Sequence, residues 1–215
     1  MRILQSRIFQ SISFGLILNL SLVINLPVAR AQQAEHTELL WQQQSPVGSA
    51  RLTYLWWKVY DSEFYCEQRN GLKQHINATQ KGKSVSDQQV YLEMQTLIKH
   101  CQQLALKIHY LRDIDKVDLV KETEKQWRHL SFTEIDFTPW LNQLTQIWPN
   151  LKQADELIFM VKNASETSPN LTAQFYYNNR LIGELNDSKM IYAFAAIWLS
   201  QATSEPELRE KLFNF

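Results

Sequence analysis

The residues able to do chemistry in this chain are spread thinly along it. The five histidines (His36, His75, His100, His109 and His129) lie far apart, and no HExxH, GxSxG, P-loop or GxGxxG pattern is present. His109 sits in an alternating segment, where a histidine satisfied within a strand is expected rather than a ligand or base. Asp113 and Asp115 flank Ile114 just after that segment. Two carboxylates so placed are a candidate acid–base pair, although capping of a following helix explains them better. Cys66 and Cys101 are the only cysteines. They can bridge in an oxidising compartment, and with no nearby histidine pair they argue against zinc. Sequence leaves the pairing open, and it implies no metal and no cofactor. Three Asn-x-Ser/Thr triplets, starting at Asn77, Asn163 and Asn170, matter only in a host that glycosylates.

The elements that would position such groups follow from periodicity. RLTYLWWKVYDSEFY (51–65) is aromatic and β-branched, which predicts a strand. Large apolar groups fall on both of its faces, so a central, doubly covered strand is expected. Polar 71–89 reads as a long hairpin or surface loop. LALKIHYLR (104–112) alternates and predicts a second strand. Residues 118–130 carry Leu119, Val120, Thr123, Trp127 and Leu130 on one helical stripe. Thr138-Pro139 predicts a helix start, with Trp140, Leu141, Leu144, Ile147 and Trp148 along the buried stripe. ELIFMVK (156–162) is a strand, and 172–177 with 180–185 form a hairpin about Asn178-Asn179, since Asn tolerates the positive φ of a tight turn. Asp187 or Ser188 caps an almost wholly apolar helix to Leu199. Ser204-Glu205-Pro206-Glu207 has the spacing of a capping box before a last helix with Leu208, Leu212 and Phe213. Strands and helices segregate, which predicts an α+β fold: an antiparallel sheet with helices packed on one face.

The chain has 215 residues and formal net charge zero. Three of its 22 basic residues and none of its 22 acidic ones precede residue 32, leaving the remainder mildly acidic. That balance gives no footprint for nucleic acid and no polybasic membrane cluster. The start has the layout of a signal peptide: Arg2 and Arg7, an apolar stretch from Ile12 to Val28, Pro27, then Ala29-Arg30-Ala31. Cleavage after Ala31 and export to a periplasmic or extracellular space are expected. The remaining layout is a lead-in over 32–47 and one domain over 48–215. After signal cleavage no transmembrane span is expected; the apolar run 190–199 is too short to cross a bilayer.

Four segments taken in order resemble the chalcone isomerase-like family, in its bacterial exported branch: GSARLTYLWWKVYDSEFY (48–65), LKIHYLRDID (106–115), FYYNNRLIGEL (175–185) and AFAAIWLSQATSEPELREKL (193–212). The resemblance implies a large antiparallel sheet under helices, an open-faced sandwich with a cleft between the layers. It also implies two kinds of member: isomerases that close a chalcone into a flavanone, and non-catalytic proteins that bind fatty acids in the same cleft. The ligand-facing arginine of the family is matched by Arg51. The position holding Thr in the isomerases and Tyr in the fatty-acid binders is matched by Tyr60. The isomerases also carry a Tyr followed three residues later by Lys at the start of the helix after the second strand. The corresponding DKVDLVKETEKQW (115–127) has no Tyr.

What the resemblance implies is an exported, non-catalytic binder of a fatty acid or similar apolar carboxylate, with Arg51 and Tyr60 as its ligand-binding residues. Nine residues separate the two, so a bulge or turn must intervene if both are to face one cleft. The alternatives are an intramolecular lyase of the chalcone isomerase type and a structural or interaction protein of the cell envelope whose cleft is plugged by Trp56, Trp57, Trp127 and Trp198. The expected partner is an apolar small molecule and not nucleic acid; a protein partner is left open.

Overall fold

The structure is a computed structural model that describes residues 39–72, 74, 86–132, 135–163 and 170–214. The expected signal peptide and most of the polar stretch 71–89 lie outside the described residues. Six strands form one sheet whose spatial order follows the sequence: β1 (Gly48–Tyr54), β2 (Trp57–Cys66), β3 (Gln103–Tyr110), β4 (Glu156–Lys162), β5 (Thr172–Tyr177) and β6 (Arg180–Leu185). Every neighbouring pair is antiparallel. A short helix α1 (Leu40–Gln43) precedes the sheet. The other helices are α2 (Asp87–Cys101), α3 (Lys116–His129), α4 (Thr138–Ile147), α5 (Ser188–Leu199) and α6 (Pro206–Leu212). The fold class is α+β, as the segregated pattern predicts.

Alternation along the strands makes two unlike faces. Phe64, Leu106, Phe159 and Phe175 stand side by side across four strands and are fully buried under the helices. They meet Phe194 of α5, whose ring lies 4.7 Å from Phe159 and 5.2 Å from Phe175. On the opposite face α1 covers a smaller apolar cluster, with Leu40 and Trp41 against Tyr65, Ala105, Ile158, Met160 and Tyr176. Trp41 donates its indole N–H to Asn179 Oδ1 at 3.1 Å. Part of the lead-in is therefore a packed helical turn.

Three expectations are corrected. The run 51–65 is two strands, not one, because the chain reverses at Leu55-Trp56 and Tyr54 pairs with Trp57. β1 is thus an edge strand, and the two tryptophans are exposed rather than covered. The end of the polar stretch 71–89 is helical rather than loop, because α2 starts at Asp87; Ser86 and Gln89 form its capping box, and Val90, Met94, Leu97, Ile98 and Cys101 form its buried stripe. Ser204 does not cap α6: its hydroxyl donates to Gln126 Oε1 at 2.8 Å.

The hairpin β5–β6 turns through Asn178 and Asn179 at φ 48° and 64°, the geometry a primed turn requires. Asp187 caps α5 by accepting from the backbone N–H of Lys189 and Met190. At the other sheet edge β1 runs hard against α6. A Cβ on Gly48 would lie 2.2 Å from the Lys211 carbonyl oxygen, a backbone atom that cannot swing away. Gly48→Ala is therefore expected to destabilise the fold by about 1–3 kcal/mol, read as a lower urea midpoint. An unchanged midpoint would mean that α6 does not seat on β1 as described.

Candidate functional site

β2 carries Tyr60 and Asp61 on opposite faces, and its register against β1 fixes where Arg51 goes. Arg51 is opposite Asp61, and Leu52 is opposite Tyr60. The Arg51 guanidinium donates from Nε at 2.5 Å and from Nη2 at 2.7 Å to the Asp61 carboxylate. These two hydrogen bonds hold the Asp61 carboxyl below its ordinary range. Tyr60 points the other way, under the helices, where its hydroxyl accepts the Trp198 indole N–H at 2.9 Å. The expectation that Arg51 and Tyr60 line one cleft is thus corrected. The hairpin turn and a bulge between Leu52 and Thr53 do intervene, but together they leave the two residues on opposite sides of the sheet.

Sequence reasoning missed Tyr110, the direct cross-strand neighbour of Tyr60. The two rings meet edge to face with centroids 6.1 Å apart. Burial pushes both phenols well above their ordinary pKa, so both stay protonated at any physiological pH. Tyr60 Oη uses a lone pair on Trp198 and keeps its own hydrogen, and no described residue accepts a hydrogen from either phenol. Glu205 and Glu122 act on Tyr60 through space and add to its upward shift. The helix side of β2 and β3 therefore presents two phenolic donors beside an indole, in a negative field. The signal that could have found Tyr110 was parity: it lies in LALKIHYLR on the same face as Leu104, Leu106 and Ile108.

The open face is chemically different. Asp61, Glu63, Lys107, His109 and Glu156 line a surface depression of about 200 Å³. Lys107 Nζ lies 2.9 Å from Glu156, and His109 Nδ1 lies 3.9 Å from the same carboxylate. A wider depression of about 710 Å³ near α2 is lined by Gln68, Gln95, Thr96, Lys99, His100 and Gln102. Both linings are polar, and neither suits an apolar tail. Asp113 and Asp115 do not act as a pair. Asp113 accepts from Lys152 Nζ at 2.9 Å and Gln153 N at 2.8 Å, bonds that keep it ionised. Asp115 occupies the N-cap position of α3 without a side-chain capping bond. Among the described residues no group of three or more His, Cys, Asp and Glu is placed to hold a metal ion. A disulfide joins Cys66 at the end of β2 to Cys101 at the end of α2.

No protein-family model matches the chain. No curated protein matches it by sequence. Its fold is similar to that of the crystal structure of a fatty-acid binding protein of Arabidopsis thaliana, with a TM-score of 0.55 over 79% of this chain and 86% of that one, at 10% sequence identity. The chain has the chalcone isomerase-like fold. At that identity the likeness is one of architecture: a six-stranded antiparallel sheet with its main helical layer on one face. No described helix is long and apolar enough to cross a membrane.

Proposed function

We propose that this protein is a non-catalytic binder of a fatty acid or similar apolar ligand, taken up on the helix side of β2 and β3. The observation that carries the reading is the pair of phenols there. Tyr60 and Tyr110 have hydrogens to give; Tyr110 belongs to the apolar core, and Tyr60 packs against it and accepts the Trp198 indole N–H. An oxygen at the head of an acyl ligand is the acceptor they lack. The tail would displace the half-buried Trp198 and lie along the core, at ~0.8 kcal/mol per buried methylene. Affinity would come from the tail and orientation from the phenols. Glu122 and Glu205 disfavour an anion beside Tyr60, so the protonated acid is preferred and affinity should rise as pH falls. The fold shared with a fatty-acid binding protein supports the reading. Arg51 takes no part in it, since its guanidinium is committed to Asp61 on the other face.

The test is uptake of a fluorescent C16 fatty acid by delipidated protein. Tyr60→Phe is expected to weaken binding by roughly tenfold, the worth of one hydrogen bond to a ligand oxygen. Arg51→Ala is expected to bind like the unchanged protein. Absence of uptake, or loss of binding in Arg51→Ala alone, would overturn the proposal.

We propose further that residues 1–31 are removed during export. The basic start, apolar stretch and Ala-x-Ala site support this, as does a disulfide, which persists in oxidising compartments. The N-terminal residue of protein recovered from its natural source should be Gln32.

A further inference from the structure

We propose that the tip of the β1–β2 hairpin is a membrane-docking element that lays Leu55 and Trp56 into the headgroup–acyl boundary of an anionic bilayer. The proposal does not rest on the ligand reading above and stands whether or not the helix side takes up a lipid. Tyr54, Leu55, Trp56 and Trp57 are 70%, 69%, 78% and 57% exposed. The other exposed large apolar side chains among the described residues, Leu92, Val117 and Leu181, are scattered singly. Single exposures need no explanation, whereas a contiguous apolar patch marks a contact surface.

The backbone argues the same way. Leu55 takes φ 56° at the first central position of the turn, a conformation that Gly or Asn adopts at far less cost. A bulky apolar residue held there, at the tip of the hairpin, belongs to neither apolar cluster of the described residues. Strain of that kind is kept where it carries a function.

Residue type and size select the occupant. Trp and Tyr are amphipathic and concentrate where an apolar phase meets water, and Leu favours the acyl side of that boundary. The four side chains together offer on the order of 600 Å², short of the roughly 800 Å² per partner of a stable protein interface. Lys58 flanks the tip on β2, and the Arg112 guanidinium lies 5.9 Å from the centre of the Trp57 ring. Neither forms an ion pair with a described residue, whereas the nearest acid on the same strand pair, Asp61, is neutralised by Arg51. An apolar apex with two cations behind it, neither in an ion pair with a described residue, complements the acyl region and the anionic headgroups above it.

The experiment uses the full chain carrying Leu55→Cys, labelled with an environment-sensitive nitrobenzoxadiazole dye; the native cysteines are bonded to each other and do not compete. Vesicles of phosphatidylglycerol and phosphatidylethanolamine are expected to give brighter, blue-shifted emission that spin-labelled lipid quenches. The same dye at Lys125→Cys, on α3, is expected to stay unchanged. Adding Lys58→Glu with Arg112→Glu should raise the half-saturating lipid concentration by about tenfold or more. The proposal is overturned by no shift at residue 55, or by equal shifts at residues 55 and 125. It is overturned equally by a shift that needs only a higher protein concentration, which would mark a second copy as occupant, or one that needs a soluble protein extract and no lipid.

Discussion

Removing the disulfide, as Cys66→Ala with Cys101→Ala, is expected to lower the unfolding free energy by about 4 kcal/mol. The bridge closes a loop of 35 residues, and in the chain-entropy treatment a loop of that length restrains the unfolded chain by roughly that much. The native state adds to the effect. Both sulfurs are buried, and the bond ties the last residue of β2 to the last residue of α2. Gln68 N reaches the Cys101 carbonyl at 3.3 Å and Glu67 N reaches that of Gln103 at 3.0 Å, so the backbone already crosses at this point and the bond locks it. Urea unfolding of the double variant, and of the unchanged protein with and without reductant, measures the loss. Equal midpoints in all three would show that the β2–α2 junction holds without the bond.

Glu93→Ala is expected to cost a further large amount, about 3–5 kcal/mol, because it strips the centre from a buried polar cluster. Glu93 lies on α2 and accepts from Ser200 Oγ at 2.7 Å and from Gln201 N at 3.0 Å, both just past the end of α5. Arg209 Nη2 of α6 lies 3.5 Å from the same carboxylate, and both side chains are about nine-tenths buried. Arg209 is held further by its bond to the Leu199 carbonyl at 2.8 Å, so it stays in place with no counter-charge once Glu93 is gone. Three helices lose their common fastening.

The cluster also predicts a pH dependence. Burial raises the Glu93 carboxyl above its ordinary value, and that effect outweighs Ser200, Gln201 and Arg209, which pull it down. A group raised in the folded state holds its proton more tightly there than in the unfolded chain. Its contribution is fully present below the unfolded pKa and is lost as pH rises through the folded one. The stability difference between the unchanged protein and Glu93→Gln should therefore shrink as the pH rises from about 4, the ordinary carboxyl value. A difference that grows instead would mean that Arg209 dominates burial.

Much of the fold is legible in the residues, for reasons that can be named. β4 carries an uninterrupted apolar run over 157–161, and β5 and β6 surround an Asn-Asn turn whose positive φ only a few residue types accept. α5 starts at an Asp cap and is apolar all round. What escaped is where local rules are broken or spread out. The reversal at Leu55-Trp56 has no Gly, Asn or Pro to announce it, so two strands read as one. α2 is rich in Gln and polar between its buried positions, and only the Ser86–Gln89 capping box and the wide spacing of Val90, Met94 and Leu97 mark it.

The site shows the same division. Tyr60 is singled out by the resemblance alone, and its side relative to Arg51 depends on a turn and a bulge invisible to simple alternation. The resemblance therefore paired it with Arg51, on the wrong face, instead of Tyr110, whose partnership is set by long-range register between β2 and β3.

The most direct measurement of the central claim is the carbon NMR spectrum of carboxyl-labelled palmitic acid added to the delipidated protein. The account predicts a protein-bound carboxyl resonance that shifts or vanishes in Tyr60→Phe with Tyr110→Phe and persists in Arg51→Ala. No bound resonance, or one that the phenol variants leave untouched while Arg51→Ala removes it, would contradict the account.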